Sequence, residues 1–401
     1  MRFIVAAVLG MVLSGPALAE VTRTVKVGVL TDFAGPLADW SGQGSVEAAK
    51  LAVEDYVKSG GRSKVEIVSA DHQNKPDVAS AIARKWISSD GVNAILDVPN
   101  SGVALAVNEI TRGSKAALLA SAATNIDLIG KACSPNTVMW TTDSWALANT
   151  VAKGVIGAGK KTWFFLTVDF AGGIGLEQGA TAAVNRAGGQ VVGRARFPFD
   201  TMDYASFLLQ AQGAGTQAVG FAAAGTQLTG LLKQAHEFGL GQGKPQLVGL
   251  AIFLTDVHSL GLNVAQGLQL AESYYWDLNN DTRAFAKRFA ERHGGKYPTQ
   301  MQAGAYAALT HYLKAVDALG SADGPSVVQK MKDLPTHDPL FGDGFIRKDG
   351  RTMHDHFLFE VKAPGESRSE WDLYKLLMRV PAEEAFRAME DGGCPLVSGA
   401  K

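Results

Sequence analysis

An alternation of short apolar runs with amphipathic stretches, repeated in two series, is the feature that most limits what this chain can fold into. Its first copy, residues 25–56, reads VKVGVLTDFAGPLADWSGQGSVEAAKLAVEDY. Val25, Val27 and Val29 alternate with Lys26 and Gly28 and lead into Leu30, the pattern of a strand in a mostly buried sheet. Residues 32–44 are rich in glycine, proline and small polar groups, which break regular structure. From Ser45 the spacing turns helical, and Val46, Ala49, Val53 and Tyr56 share one face. Strand, loop and helix open a doubly wound α/β unit, in which ligands sit beyond the carboxyl ends of the strands. The loop therefore faces a site, with Trp40 as its large apolar group. A tryptophan that only covers the sheet end is the alternative use of the same residue.

The alternation continues with strands at 64–70, 94–98 and 117–120 and helices at 77–88 and 102–111. A second series starts near Thr142, with helices at 145–156, 174–186 and 226–238 and strands at 163–167, 191–197, 218–222 and 246–250. Asp203 is the expected cap of a further helix ending at Gln212. Such alternation argues parallel sheets with right-handed crossovers. Residues 269–274 read as a connection between the two arrays. Helices at 282–293 and 299–319 have no sheet of their own and are expected to pack back on the first array. Residues 344–348 and 356–361 read as a hairpin about Asp349-Gly350.

The remaining sequence narrows the class. Basic and acidic residues balance at 38 and 39, so nothing favours nucleic acid or an anionic membrane surface. Met1-Arg2, the apolar run 3–13 and Ala17-Leu18-Ala19 have the form of a secretory leader cut before Glu20. No cysteine stands immediately after that cut, so a soluble exported protein is expected rather than a lipid-anchored one. The two cysteines, Cys133 and Cys394, are expected to pair in an oxidising compartment; two separate buried thiols are the alternative.

The segment TDFAGPLADWSGQGSVEAAKLAVEDY resembles the opening of branched-chain amino-acid-binding proteins of ABC transporters, which are type I periplasmic binding proteins. LLASAATNIDL at 118–128, DFAGGIGLEQGATAAVNRAGGQVVG at 169–193, TMDYASFL at 201–208 and LLKQAHEFGL at 231–240 resemble the same family in order and spacing. The resemblance spans nearly all of the mature chain. It implies two doubly wound, Rossmann-like lobes joined by three hinge crossovers, with ligand trapped between them. The implied division is a leader at 1–19, a first lobe at 20–143 plus 275–350, a second at 144–274 plus 351–385, and a tail at 386–401 pinned by the disulfide. It also implies a monomeric periplasmic receptor serving a membrane permease and ATPase, with no cofactor or metal.

Several residues suit that role. Asn100, Ser101 and Gly102 follow a strand and open a helix, where backbone N–H groups and the Ser101 hydroxyl can donate to an anion. Ala122, Ala123 and Thr124 follow another strand, and Thr124 can donate through hydroxyl and N–H. Ordinary helix caps without a ligand are the alternative. In the resembling family these positions hold the ligand carboxylate or amino acid backbone.

Departures from the family bear on the ligand. Its acidic residue before a glycine, the partner of an α-ammonium, aligns with Gln266, and a neutral amide cannot offset a buried ammonium. Its tyrosines align with Phe170 and with Ala224 or Gly225. Trp40 keeps the aromatic position. This pattern, with the closing GFIRKDGRTMHDHFLFEVKAPGES and GGCPLV, resembles the aromatic-acid-binding subgroup. The expected ligand is a small carboxylate with an aromatic body; a branched-chain amino acid or amide, with Glu272 or Asp256 as the acidic partner, is the alternative. A module that senses the same ligand for a signalling receptor is a further alternative.

An enzyme is not expected. His354-Asp355-His356 lacks an identifiable third metal ligand and suits a hinge or surface role. Gly172–Gly175 lacks the Lys-Ser/Thr of a phosphate loop, and no nucleophile-elbow motif is present.

Overall fold

The computed structural model describes residues 23–241, 243 and 245–397. The expected leader lies outside the described residues, as do positions 398–401 of the tail. The first series forms a parallel sheet of β1 (Arg23–Thr31), β2 (Ser63–Asp71), β3 (Ala94–Asp97), β4 (Ala117–Ala120) and β5 (Thr137–Met139), ordered β2-β1-β3-β4-β5. α1 (Gly42–Lys58), α2 (Pro76–Ser88) and α3 (Ser101–Arg112) connect the first four strands. Both faces of the sheet are covered. Val25, Val27 and Val29 join Val46, Ala49 and Tyr56 of α1 in one core. Leu30 and Ile95 join Trp86 of α2 and Val103 of α3 in the other. Gly28 permits the second packing, since a Cβ there would lie 2.4 Å from the Trp86 ring.

The chain then enters α4 (Ser144–Gly157) and a second parallel array. This comprises β6 (Thr162–Val168), α5 (Ala171–Arg186), β7 (Gln190–Phe197), α6 (Ala205–Gly213), β8 (Ala218–Ala222), α7 (Gly225–Glu237), β9 (Gln246–Gly249), α8 (Leu254–Leu260), α9 (Leu262–Ala265) and β10 (Gln269–Glu272). Two local readings need correction. Asp203 accepts from the Ala205 N–H at 2.9 Å, but Tyr204 occupies the cap position of α6. Residues 269–272 form a full strand of the second sheet, and the crossing begins only after Glu272.

α10 (Asn280–Arg292), α11 (Gln300–Leu319) and α12 (Gly324–Asp333) return to the first core, where Phe285, Phe289, Tyr312 and Val328 are buried. Arg288 grips Asp55 of α1 through contacts of 2.7 and 2.9 Å. A small antiparallel sheet follows: β11 (Thr336–Asp338), β12 (Gly342–Ile346) and β13 (Thr352–Met353). β14 (His356–Val361) and β15 (Tyr374–Val380) then join the second sheet, ordered β15-β14-β10-β9-β8-β6-β7, and α13 (Ala382–Ala385) follows.

The expected hairpin is therefore half right. The Asp349-Gly350 turn joins β12 to β13, and Gly350 takes φ +93. β14 pairs with β10 and β15 instead, because the chain changes lobe at 354–355. Three crossings at 140–143, 273–279 and 354–355 link the lobes of this type I architecture. α13 is held to α4, where Asn149 donates to the Glu384 carbonyl, and the tail is tied to the first lobe: Arg347 donates to the Arg387 carbonyl at 2.7 Å, and Cys133 is disulfide-bonded to Cys394.

Candidate functional site

The carboxyl ends of β1, β3 and β4 meet those of β8, β9 and β10 where Trp40 and α8 come together. The loop after β1 is built on Asp32. Its carboxylate accepts from the N–H groups of Gly35 and Leu37 at 2.7 and 3.0 Å and from Asn74 at 2.6 Å. Burial raises this carboxyl, but the hydrogen bonds from Asn74, Leu37 and Gly35 outweigh it and hold it below the ordinary range. Gly35 has no room for a side chain, as a Cβ would stand 2.6 Å from both Asn74 and Asp32.

Trp40 ends that loop nearly buried, at 8% exposure. The Thr299 hydroxyl donates to its carbonyl at 2.6 Å. Its indole Nε1 donates to both carboxylate oxygens of Asp256 at 3.1 Å, and the Phe253 ring meets it edge-on at 4.9 Å. Trp40 thus packs with Ala122, Leu250, Phe253 and Met301, residues drawn from both lobes.

Ser101 and Thr124 are brought together. The Thr124 N–H points to the Ser101 hydroxyl oxygen at 3.4 Å, and both side chains are partly exposed. Asn100 and Gly102 act differently from expectation. The Asn100 side chain accepts from the Gly102 and Val103 N–H groups at 3.0 and 3.1 Å, so the Gly102 N–H is already used by the helix cap. Ala122 lies beside Trp40, whereas the Ala123 side chain is buried in the first-lobe core and is no cleft wall.

On the second lobe, Phe170 follows β6 and is 48% exposed, with its edge against Phe199 at 5.4 Å rather than against Trp40. Ala224 caps α7 and packs against the Trp40 cluster. Gly225 starts that helix at φ +57. Gln266 is not at this end of the sheet. It precedes β10, donates to the Asn263 carbonyl at 3.1 Å, and lines a separate cavity of about 420 Å³ with His236, Glu360 and Lys375. A residue before a strand sits at its amino end, one strand length from the cleft, so ligand charge cannot be inferred from Gln266.

The acidic groups near the lobe junction are Asp256 and Glu272. Burial lifts the Asp256 carboxyl to about 7 despite the Phe253 and Trp40 N–H groups, and Asp39 adds to the rise. Burial also raises Glu272 well above the usual range; Tyr374, donating at 3.0 Å, opposes this, and the charge of Asp256 reinforces it. Sequence reasoning passed over Phe253 and Tyr374, since a lone aromatic in a loop or a distant strand carries no periodic signal. It also passed over Asp97, which ends β3 at φ +85 with no exposure. Asp97 accepts from the hydroxyls of Ser41 and Ser121 at 3.1 and 3.3 Å.

His354 and His356 occupy the third crossing. The His354 ring faces the Trp140 carbonyl at 2.7 Å; burial drives His354 down to about 4, and burial with the charges of His354 and Arg351 holds His356 well below its usual range. Among the described residues no group of three His, Cys, Asp or Glu is placed to hold a metal ion, and no helix is long and apolar enough to cross a membrane.

Comparison with known proteins agrees with this geometry. The family described as periplasmic binding protein is matched over residues 24–367. A branched chain amino acid ABC transporter periplasmic ligand-binding protein from Burkholderia xenovorans is 39% identical, with a TM-score of 0.88 over 93% of this chain and 99% of its own. The Leu/Ile/Val-binding protein homolog 6 of Brucella melitensis is 25% identical over 82% of this chain and 85% of its own. An ABC transporter solute-binding protein from R. palustris, solved in complex with benzoate, shares the fold at 20% identity, with a TM-score of 0.76 over 90% of this chain and 97% of that one.

Proposed function

The chain belongs to the periplasmic binding protein family, and from that premise we propose that it captures a small aromatic carboxylate between its lobes. It then delivers that ligand from the periplasm to the permease and ATPase of an ABC importer. Family membership makes it a substrate-binding receptor rather than an enzyme.

The observation that carries the ligand reading is the contrast between the two sides of the lobe junction. Ser101 and Thr124 offer hydroxyl donors beside the amino end of α3, where a carboxylate is favoured, while the Thr124 N–H turns to the Ser101 oxygen. Trp40 and Phe253 form an aromatic pair where the lobes meet, suited to a ring. Benzoate in the R. palustris neighbour supports the same class.

One observation favours an amino acid instead. Asp256 and Glu272 could balance an ammonium, which would draw both carboxyls down as it bound. The name of the B. xenovorans neighbour points the same way.

Thermal shift with benzoate and 4-hydroxybenzoate against leucine and valine separates the two. A ligand at 100 times its dissociation constant stabilises by roughly 2.7 kcal/mol. A shift with the aromatic acids alone is expected; a shift with the amino acids alone overturns the ligand class and leaves the receptor assignment standing.

A further inference from the structure

We propose that Asp256 is a positioning residue that latches the second lobe to Trp40, holding the indole in place and biasing the receptor toward its closed arrangement without ligand. The inference rests on the receptor reading, but not on which ligand is bound.

The two partners are anchored to different lobes. The Trp40 loop is fixed to α11 of the first lobe: Thr299 donates to the Trp40 carbonyl at 2.6 Å, and Gln302 donates to the carbonyls of Asp39 and Ser41 at 3.4 and 3.1 Å. Asp256 sits in the first turn of α8, which follows β9 of the second lobe. One of its oxygens accepts from the Phe253 N–H at 3.0 Å, which fixes the carboxylate against its own helix. The remaining acceptor capacity faces the Trp40 indole, which donates to both oxygens at 3.1 Å. Phe253, held by the same turn, adds its edge-on ring contact at 4.9 Å and an interplanar angle of 88°.

The consequence is one of populations. A contact present only when the lobes meet raises the closed fraction of the unliganded receptor. Apparent affinity scales with the fraction that is competent to bind. The latch therefore changes affinity through the closed fraction, separately from any contact Trp40 makes with ligand. It also fixes the indole plane, which an isolated tryptophan in a glycine-rich loop would not keep.

The test is small-angle scattering of the full mature chain without ligand, comparing wild type with Asp256→Ala, Asp256→Asn and Trp40→Phe. Asp256→Ala removes both acceptors. Trp40→Phe keeps a ring but removes the N–H donor. Asp256→Asn retains a carbonyl that can still accept. Asp256→Ala and Trp40→Phe are expected to enlarge the unliganded radius of gyration, and Asp256→Asn to stay near wild type. An unchanged radius in Trp40→Phe overturns the latch, and this holds even if Asp256→Ala fails to fold. With 4-hydroxybenzoate as probe, Asp256→Ala is expected to bind roughly tenfold more weakly than wild type, with Asp256→Asn restoring most of the loss. Failure of wild type to bind that probe counts against the ligand class alone, because the scattering comparison needs no ligand.

Discussion

Arg351, without solvent exposure and immediately before β13, donates through Nη2 to the carbonyl of Trp140 at 2.5 Å, so the segment that leads into the third crossing is tied to the first. The same guanidinium reaches the Thr141 carbonyl at 2.5 Å and Asp143 at 3.5 Å, and stacks over Phe386 of the tail. Asp143 in turn caps α4 by accepting from the Ala146 N–H at 2.8 Å. Burial lowers the Arg351 guanidinium to about 10, the charge of Asp143 resists that fall, and the group stays charged at neutral pH.

Removing this group should be costly. Arg351→Met leaves the Thr141 carbonyl and one Asp143 oxygen buried without their donor, while the Trp140 carbonyl keeps only the His354 ring. Breaking a buried pair in this way typically costs about 3–5 kcal/mol. Urea denaturation should show that loss, and Arg351→Lys should recover little of it, since an ammonium lacks the fork that spans both carbonyls. A cost below about 1 kcal/mol would mean the hinge does not depend on this residue.

The disulfide should matter for the tail. Cys133 and Cys394 stand 261 residues apart, and the bond closes most of the described chain into one loop. Loss of such a bridge typically costs about 2–5 kcal/mol. The contact of Arg347 with the tail backbone retains part of its docking, so the lower half of that range is expected. Melting with and without reductant measures the loss, and mass spectrometry of unreduced peptides checks the linkage.

Ligand affinity should depend on Ser101. A hydrogen bond to a charged group is worth about 1.5–3 kcal/mol. Ser101→Ala is therefore expected to weaken carboxylate binding about tenfold or more in calorimetry. Thr124→Val, which keeps the N–H and loses the hydroxyl, should have a smaller effect. Unchanged affinity in Ser101→Ala removes that residue from the site.

Asp97 should give a pH signature. Burial raises its folded value from 3.8 to about 6, against the hydroxyls around it, of which Ser41 and Ser121 donate to it. The folded state holds this proton more tightly than the unfolded chain. The associated stability is full below about pH 4 and disappears as pH rises through about 6, a total near 3 kcal/mol. Asp97→Asn should remove that falling limb. Subtracting the variant's stability curve from the wild-type curve between pH 4 and 7 isolates it from the other buried acids. A flat difference would contradict the assignment.

Much of the cleft was legible because chain polarity is. Residues 100–102 and 122–124 each follow a strand in a βα array, which puts them at the carboxyl edge whatever the side chains do. Gln266 misled because its assignment came from alignment, while its place before β10 puts it at the opposite edge. Phe170 was found at the correct edge, but its ring contacts Phe199, a pairing between loops that local pattern cannot express.

The sequence by itself determined the architecture: alternating buried strands and one-faced helices can satisfy their hydrogen bonds and cover both sheet faces in few ways other than doubly wound lobes. Two cysteines in a chain with the leader of an exported protein pointed to the bridge. Only the tertiary structure decided which lobe each late segment joins, so that β14 leaves β12 for β10. It alone brought Asp256 to Trp40 and Arg351 to Trp140 across more than 200 residues of chain. Such contacts depend on how two finished lobes meet. That meeting is set by packing and desolvation at their junction, and local periodicity carries no record of it.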